Sequence, residues 1–209
     1  FSPLGDQIAS GSSDNTARIW DVPLSTPMKE LAHSAGAVAV TTSLDGKYVA
    51  GAAKDGSVKV WTIADSKQIA NLVGHPGGAT GVSFSANGQI LATSGADGTV
   101  RFWNPADGKV IGIVGAHASP LTGVALSPTG NTAYTIAEDG LLKYWTIPTA
   151  GAKPLPTHTE AINSLFLSAD GTSVVTGGAD KSVKLSNGTT GAYTLTINCP
   201  TITVNPSSL

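Results

Sequence analysis

Apolar and polar residues alternate along this chain in runs of about five to seven positions, broken by Gly, Asp, Asn and Ser. In four places two residues stand two apart, Val40/Thr42, Val82/Phe84, Val124/Leu126 and Leu165/Leu167. That spacing puts both side chains on one face of a strand, and the face is predicted to be core. Each pair leads into a turn that ends in Gly: Leu44-Asp45-Gly46, Ala86-Asn87-Gly88, Pro128-Thr129-Gly130 and Ala169-Asp170-Gly171. Glycine there supplies the positive φ of a tight hairpin. A second and a third strand then meet at an Asp turn, as in Leu91 to Ala96 followed by Thr99 to Trp103, and a weaker fourth strand follows. No stretch carries helical periodicity, so the pattern predicts antiparallel sheets of four strands without crossover helices.

These elements recur at a fixed interval. An Asp precedes a Trp by six residues in Asp14/Trp20, Asp55/Trp61, Asp97/Trp103 and Asp139/Trp145, and a fifth copy keeps Asp180 but has Ser186 where Trp is due. The histidines His33, His75, His117 and His158 fall in the same phase, 42, 42 and 41 residues apart. A period of this size marks a repeat architecture. The expected units are a partial repeat over residues 1–32 that lacks its first strand, and four complete ones over 33–74, 75–116, 117–157 and 158–198. Residues 199–209 leave the period.

Composition narrows the classes of function. Charged residues make up 12% of the 209 positions and the net charge is −2, with no basic stripe of the kind that marks nucleic-acid binding, so no nucleic-acid partner is expected. The apolar share of 41% exceeds that of disordered chains, and no apolar run is long enough to span a bilayer. The single cysteine, Cys199, leaves no intrachain disulfide and no Cys-rich zinc site. The four histidines lie about 42 residues apart, each in its own repeat, and lack the close spacing of a local metal-binding motif. Neither a metal nor any other cofactor is expected.

The repeat resembles the WD40 family from residue 1 to about 190. That family's unit runs from Gly-His through a Ser-Pro-Asp-Gly-like hairpin and a Ser-Gly-x-x-Asp turn to a Trp-Asp end. In this chain the unit reads Gly74-His75, Ser85-Ala86-Asn87-Gly88, Thr93-Ser94-Gly95-Ala96-Asp97 and Trp103-Asn104, and the true Trp-Asp pair is Trp20-Asp21. The resemblance implies an all-β fold, a WD40 β-propeller of four complete four-stranded blades plus one partial blade, open or incomplete. It looks like a bacterial-type array. The tail Cys199–Leu209 resembles a linker or the start of an immunoglobulin-like domain of bacterial surface proteins, and Tyr193 to Ile197 could belong with it. The chain is therefore expected to be a fragment of a longer, periplasmic or secreted protein.

Within each repeat a His, a hydroxyl, a carboxylate and an indole share one phase: His75, Thr93, Asp97 and Trp103, then His117, Thr135, Asp139 and Trp145. A hydrolase triad uses the same residue types, but an enzyme builds its triad once, beside an oxyanion hole. Repetition at one offset favours a buried hydrogen-bond network, the role that the family resemblance implies for these residues. No catalytic residue is assigned. Gly51 stands where the hydroxyl is due in the second repeat, and restoring it with Thr is expected to stabilise that blade.

A non-catalytic protein–protein interaction scaffold is the function expected from these repeats. In the family, the face that gathers the His loops and Asp turns contacts partners; here its polar positions are Ser13, Asn15, Lys54, Ser119, Glu138, Glu160 and Lys181. The competing reading takes them as solvated surface residues. The alternative function is an accessory propeller of a larger secreted or periplasmic bacterial enzyme or redox protein.

Overall fold

A computed structural model of the chain describes residues 5–22, 27–147, 150–155, 158–188, 190 and 192–198, and of 27, 28, 150–155 and 193 the backbone only. The described residues contain strands and turns and no helix, hence no helix long and apolar enough to cross a membrane. The first sheet holds β1 (Gln7–Gly11), β2 (Thr16–Asp21) and β3 (Pro27–Ala32). The second holds β4 (Ala37–Thr42), β5 (Tyr48–Ala53), β6 (Ser57–Thr62) and β7 (Gln68–Val73). Then come β8 (Ala79–Phe84), β9 (Leu91–Gly95), β10 (Thr99–Trp103) and β11 (Val110–Gly115) in the third. The fourth contains β12 (Leu121–Leu126), β13 (Thr132–Ala137), β14 (Leu142–Thr146) and β15 (Ala150–Leu155). The fifth is built from β16 (Ile162–Leu167), β17 (Ser173–Gly178), β18 (Ser182–Asn187) and β19 (Tyr193–Asn198).

Every sheet is an antiparallel meander in sequence order, as short turns between successive strands require. The hairpins between the first and second strands of the complete sheets turn at Gly46, Gly88, Gly130 and Gly171, with φ of 70°, 66°, 73° and 71°. In each of these turns the Gly N–H donates to a Ser carbonyl three residues back, for example Gly88 to Ser85 at 2.9 Å.

The period of two gives each sheet two apolar faces, and each sheet packs its front on the back of the next. Ala50, Ala52, Val58, Val60 and Leu72 of the second sheet meet Val82, Phe84, Leu91 and Trp103 of the third. Val100 and Phe102 of the third then meet Leu121, Leu126 and Trp145 of the fourth, and Tyr134, Ile136 and Leu142 of the fourth meet Ile162 and Val174 of the fifth. Ala17, Ile19 and Leu31 of the first sheet cover Val49 and Trp61 of the second. The two-apart residues Val82, Phe84 and Leu126 are buried, while Val40, Val124, Leu165 and Leu167 are partly buried against these cores. The cores therefore lie between blades, and the stack curves as a β-propeller with incomplete closure.

Strand β19 pairs with β18 over Ser182↔Asn198 to Ser186↔Tyr193, so Tyr193 to Ile197 lie in the outer strand of the fifth sheet. The tail Cys199–Leu209 lies outside the described residues.

Candidate functional site

Because the strands run up and down in order, the loop entering each first strand and the turn joining its second and third strands fall at one end of the sheet. Backbone hydrogen bonds tie the two together in sheet after sheet: Lys54 N–H to the Gly36 carbonyl at 3.1 Å, Ala96 to Gly78 at 3.0 Å, Glu138 to Pro120 at 3.1 Å and Ala179 to Ala161 at 2.8 Å. This end carries the histidines and the Asp turns.

In the third sheet Trp103 Nε1–H donates to Thr93 Oγ1 at 2.9 Å, and the same hydroxyl lies 2.7 Å from His75 Nε2. His75 Nδ1 lies 3.2 Å from Asp97 Oδ1. The carboxylate accepts the Nδ1–H, which leaves Nε2 to accept the Thr93 hydroxyl proton, so one tautomer satisfies the set. The fourth sheet repeats it: Trp145 Nε1–H to Thr135 at 3.0 Å, His117 Nε2 to Thr135 at 3.0 Å, and His117 Nδ1 to Asp139 Oδ2 at 3.0 Å. Thr93 and Thr135 have no solvent exposure. Burial pushes His75 and His117 below the ordinary imidazole range, while their carboxylates oppose the shift. Burial also disfavours ionised Asp97, but hydrogen bonds from Thr99 and His75 outweigh it and hold the carboxyl below its usual range.

Sequence reasoning left out a third member of this series. His158 lies 2.9 Å from Thr176 through Nε2 and 2.9 Å from Asp180 through Nδ1, with Ser182 Oγ 3.0 Å from the same nitrogen. The signal lies in the spacing: the hydroxyl follows its His by 18 residues in all three cases. The absent Trp at Ser186 masks a set that needs only three of its four groups. In the first sheet the pair Trp20 Nε1–H to Ser10 Oγ, 2.7 Å, stands without a His.

The second sheet departs from the rule. His33 is buried, and both its ring nitrogens lack a hydrogen-bond partner. Gly51 brings no hydroxyl, and Asp55 accepts from Ser34 and Ser57 instead, which holds it down to about 2. His33 packs its ring edge-on against Trp61, with centroids 5.0 Å apart. Desolvation, followed by the Lys59 charge, pushes His33 down to about 4.

The other positions expected on this face do sit in its loops. Ser13 and Asn15 occupy the β1–β2 turn, Lys54 the β5–β6 turn, Glu138 the β13–β14 turn and Lys181 the β17–β18 turn. Ser119 and Glu160 lie in the loops entering β12 and β16. All are exposed except the half-buried Ser119, whose Oγ accepts the Asp139 N–H at 3.2 Å. They form a rim of mixed charge rather than a cluster. At the opposite end of the blades a cleft of about 400 Å³ is lined by Leu44, Phe84, Leu126, Pro128 and Leu167. Nothing in a single repeat announces that cleft, because each blade contributes only one or two of its walls. Among the described residues no group of His, Cys, Asp and Glu is placed to hold a metal ion.

The profile of the WD domain, G-beta repeat family matches residues 1–21, 25–62, 66–104, 108–146 and 152–186, and the chain belongs to that family. Among curated relatives, 51 residues are 47% identical to Ribosome assembly protein 4 of Chaetomium thermophilum, covering 23% of this chain and 10% of that protein. Over 71 residues it is 31% identical to the Coronin-like protein of Saccharomyces cerevisiae, covering 34% of this chain and 11% of the relative. Over 66 residues it is 39% identical to the WD repeat and HMG-box DNA-binding protein 1 of Xenopus laevis, covering 31% and 6%. The matches thus span between 6% and 11% of each relative's length. All three organisms are eukaryotes, so the bacterial character expected from the repeats gains no support from these relatives.

Proposed function

We propose that this chain is a non-catalytic scaffold that binds another protein through the rim of His loops and Asp turns. The observation that carries this reading is the state of the hydroxyls. Thr93 and Thr135 are fully buried and each is shared between a His and a Trp, so neither is presented to a substrate as a nucleophile must be. The networks hold the loops, and the loops expose Lys54, Glu138, Glu160 and Lys181. Mixed charge on the rim favours recognition of a protein surface of complementary pattern over the uniformly anionic backbone of a nucleic acid. Membership of a family whose repeats typically serve as interaction scaffolds supports it further.

Reversing the four charges together, Lys54→Glu, Glu138→Lys, Glu160→Lys and Lys181→Glu, tests the reading by crosslinking and mass spectrometry against the wild-type chain. Loss of the crosslinked partners with unchanged thermal unfolding is expected. An unchanged partner set would place binding elsewhere, and turnover of a substrate that Thr93→Val abolishes without unfolding would make the chain an enzyme.

A second reading has its own support. The matched segments are minor parts of much longer relatives, which fits a propeller acting as an accessory module of a larger protein. The extracytoplasmic location draws on the tail sequence alone, and cell fractionation of the full reading frame tests it.

A further inference from the structure

The outer edge of the third sheet is apolar and bare of charge. Strand β11 stands at one end of the order β11-β10-β9-β8, so one side of its backbone pairs with β10 and the other faces outward. Its sequence, Val-Ile-Gly-Ile-Val-Gly, holds no charged residue and no Pro, and Val110, Ile111 and Ile113 are 49%, 48% and 52% exposed. Proteins usually blunt such an edge with charge or Pro. Other outer strands here do so or carry polar groups: Lys29 and Glu30 in β3, Gln68 and Asn71 in β7, Lys153 and Pro154 in β15. The third sheet packs between the second and the fourth, so its outer edge does not depend on how the array begins or ends.

Residues 110–114 read the same in both directions, Val-Ile-Gly-Ile-Val, with Gly112 at the centre. Two identical antiparallel strands related by a two-fold axis oppose each residue to its mirror position, so this segment is complementary to a second copy of itself. With the axis at Gly112, Val110 opposes Val114 of the second copy and Ile111 opposes its Ile113. The backbone directions agree. Ala116 N–H donates to the Gly98 carbonyl at 3.0 Å, and β10 and β11 keep one register from Thr99↔Gly115 to Phe102↔Gly112. By alternation Gly112 and Val114 spend their N–H and C=O groups on β10, while Ile113 turns its own to the open side.

The sheet itself does not require glycine at position 112. Its φ is not positive, a β-carbon there would meet only Phe102 at 3.8 Å, and Ala70 fills the same place in the second sheet. Glycine inside a strand often marks the close approach of another backbone. Charge sets the direction of pairing: a parallel, in-register partner would bring the two Lys109 side chains together, whereas the antiparallel one sets each Lys109 opposite Gly115.

We propose that β11 is a self-pairing edge, at which two copies of this chain join antiparallel about Gly112 and their third sheets become one continuous sheet. Ile111 and Ile113 of the two copies then form two cross-strand pairs on one face. The contact is isologous, closes as a dimer, and leaves the rim of His loops and Asp turns free on both copies. A seam of one strand a side is smaller than the roughly 1,200 Å² of a standard interface, so the dimer is weak and reversible.

Sedimentation equilibrium on the wild type and two double variants decides the matter. Ile111→Lys with Ile113→Lys opposes like charges in both pairs, and Ile111→Lys with Ile113→Glu opposes unlike ones. Both positions are exposed on an outer strand, so each variant should retain the wild-type thermal unfolding. The wild type is expected to dimerise, the first variant to associate about tenfold or more weakly, and the second to recover most of that loss. Gly112→Cys in a Cys199→Ser background should form a disulfide-linked dimer faster than Ile111→Cys does, because only the residue on the axis meets its own copy, at a Cα separation of about 4.5 Å that a disulfide spans. A wild type monomeric up to about 1 mM, the weak end of specific binding, would overturn the proposal. So would a first variant that associates as the wild type does, a second variant no better than the first, or a Gly112→Cys chain that crosslinks no faster than Ile111→Cys, since each places association outside this register.

Discussion

The ring of His33 fills the space that a β-carbon on Gly51 would occupy. In the third sheet the corresponding imidazole stands 2.7 Å from a Thr hydroxyl, so the second blade has exchanged a hydrogen bond for close packing against bare backbone. The sequence-based expectation that Thr at position 51 simply restores a missing group is therefore corrected: the site is full. Gly51→Ala should destabilise the chain by about 1–3 kcal/mol through overpacking. Gly51→Thr should recover about 1 kcal/mol of that loss by offering His33 a hydroxyl. Urea unfolding of the two variants and wild type measures both, and an Ala variant as stable as wild type would show that His33 moves aside freely.

His33 also makes this blade sensitive to acid. Its folded pKa is pushed from 6.5 to about 4, so the folded state holds it neutral where the unfolded chain would protonate it. The neutral ring's contribution is fully present above pH 6.5 and is lost as pH falls from there through about 4. His33→Phe should flatten the stability profile across that window relative to wild type, and the His33 ring protons should titrate near pH 4 by NMR. A His33 midpoint at the ordinary imidazole value would contradict its burial without partners.

Thr93 joins a His and a Trp through one buried hydroxyl. Thr93→Val keeps the shape but leaves both partners unsatisfied, and should lower stability by about 1–3 kcal/mol. Thermal unfolding beside wild type gives the answer; an unaltered midpoint would mean that the network contributes nothing to the fold.

Gly81 faces the backbone of the next blade, and a β-carbon there would sit 2.8 Å from Ser94 Oγ and 3.3 Å from Val124 N. Since backbone cannot rotate away as a side chain can, Gly81→Ala should cost about 1–3 kcal/mol. Denaturant titration checks it, and a neutral result would show that the third and fourth sheets slide with ease.

Much of the hydrogen-bond network is legible in the chain's spacing. The six-residue step from Asp97 to Trp103 runs from the turn before β10 to its last residue, and the 18-residue step from His75 to Thr93 names a contact between a loop and β9, because the repeats share one local geometry. His33 misleads for the same reason: its phase matches the other histidines, but a hydrogen bond depends on the partner's atoms, and Gly51 has none to give.

By itself the sequence determined the blades. Alternation with period two selects strands, and Asp and Gly at fixed offsets select the turns, both through interactions a few residues apart. How blades meet was decided by the tertiary structure alone. Whether Phe166 is buried or bare, and whether Gly81 touches Gly123, depends on atoms brought together from separate repeats, and no pattern within one repeat records that approach.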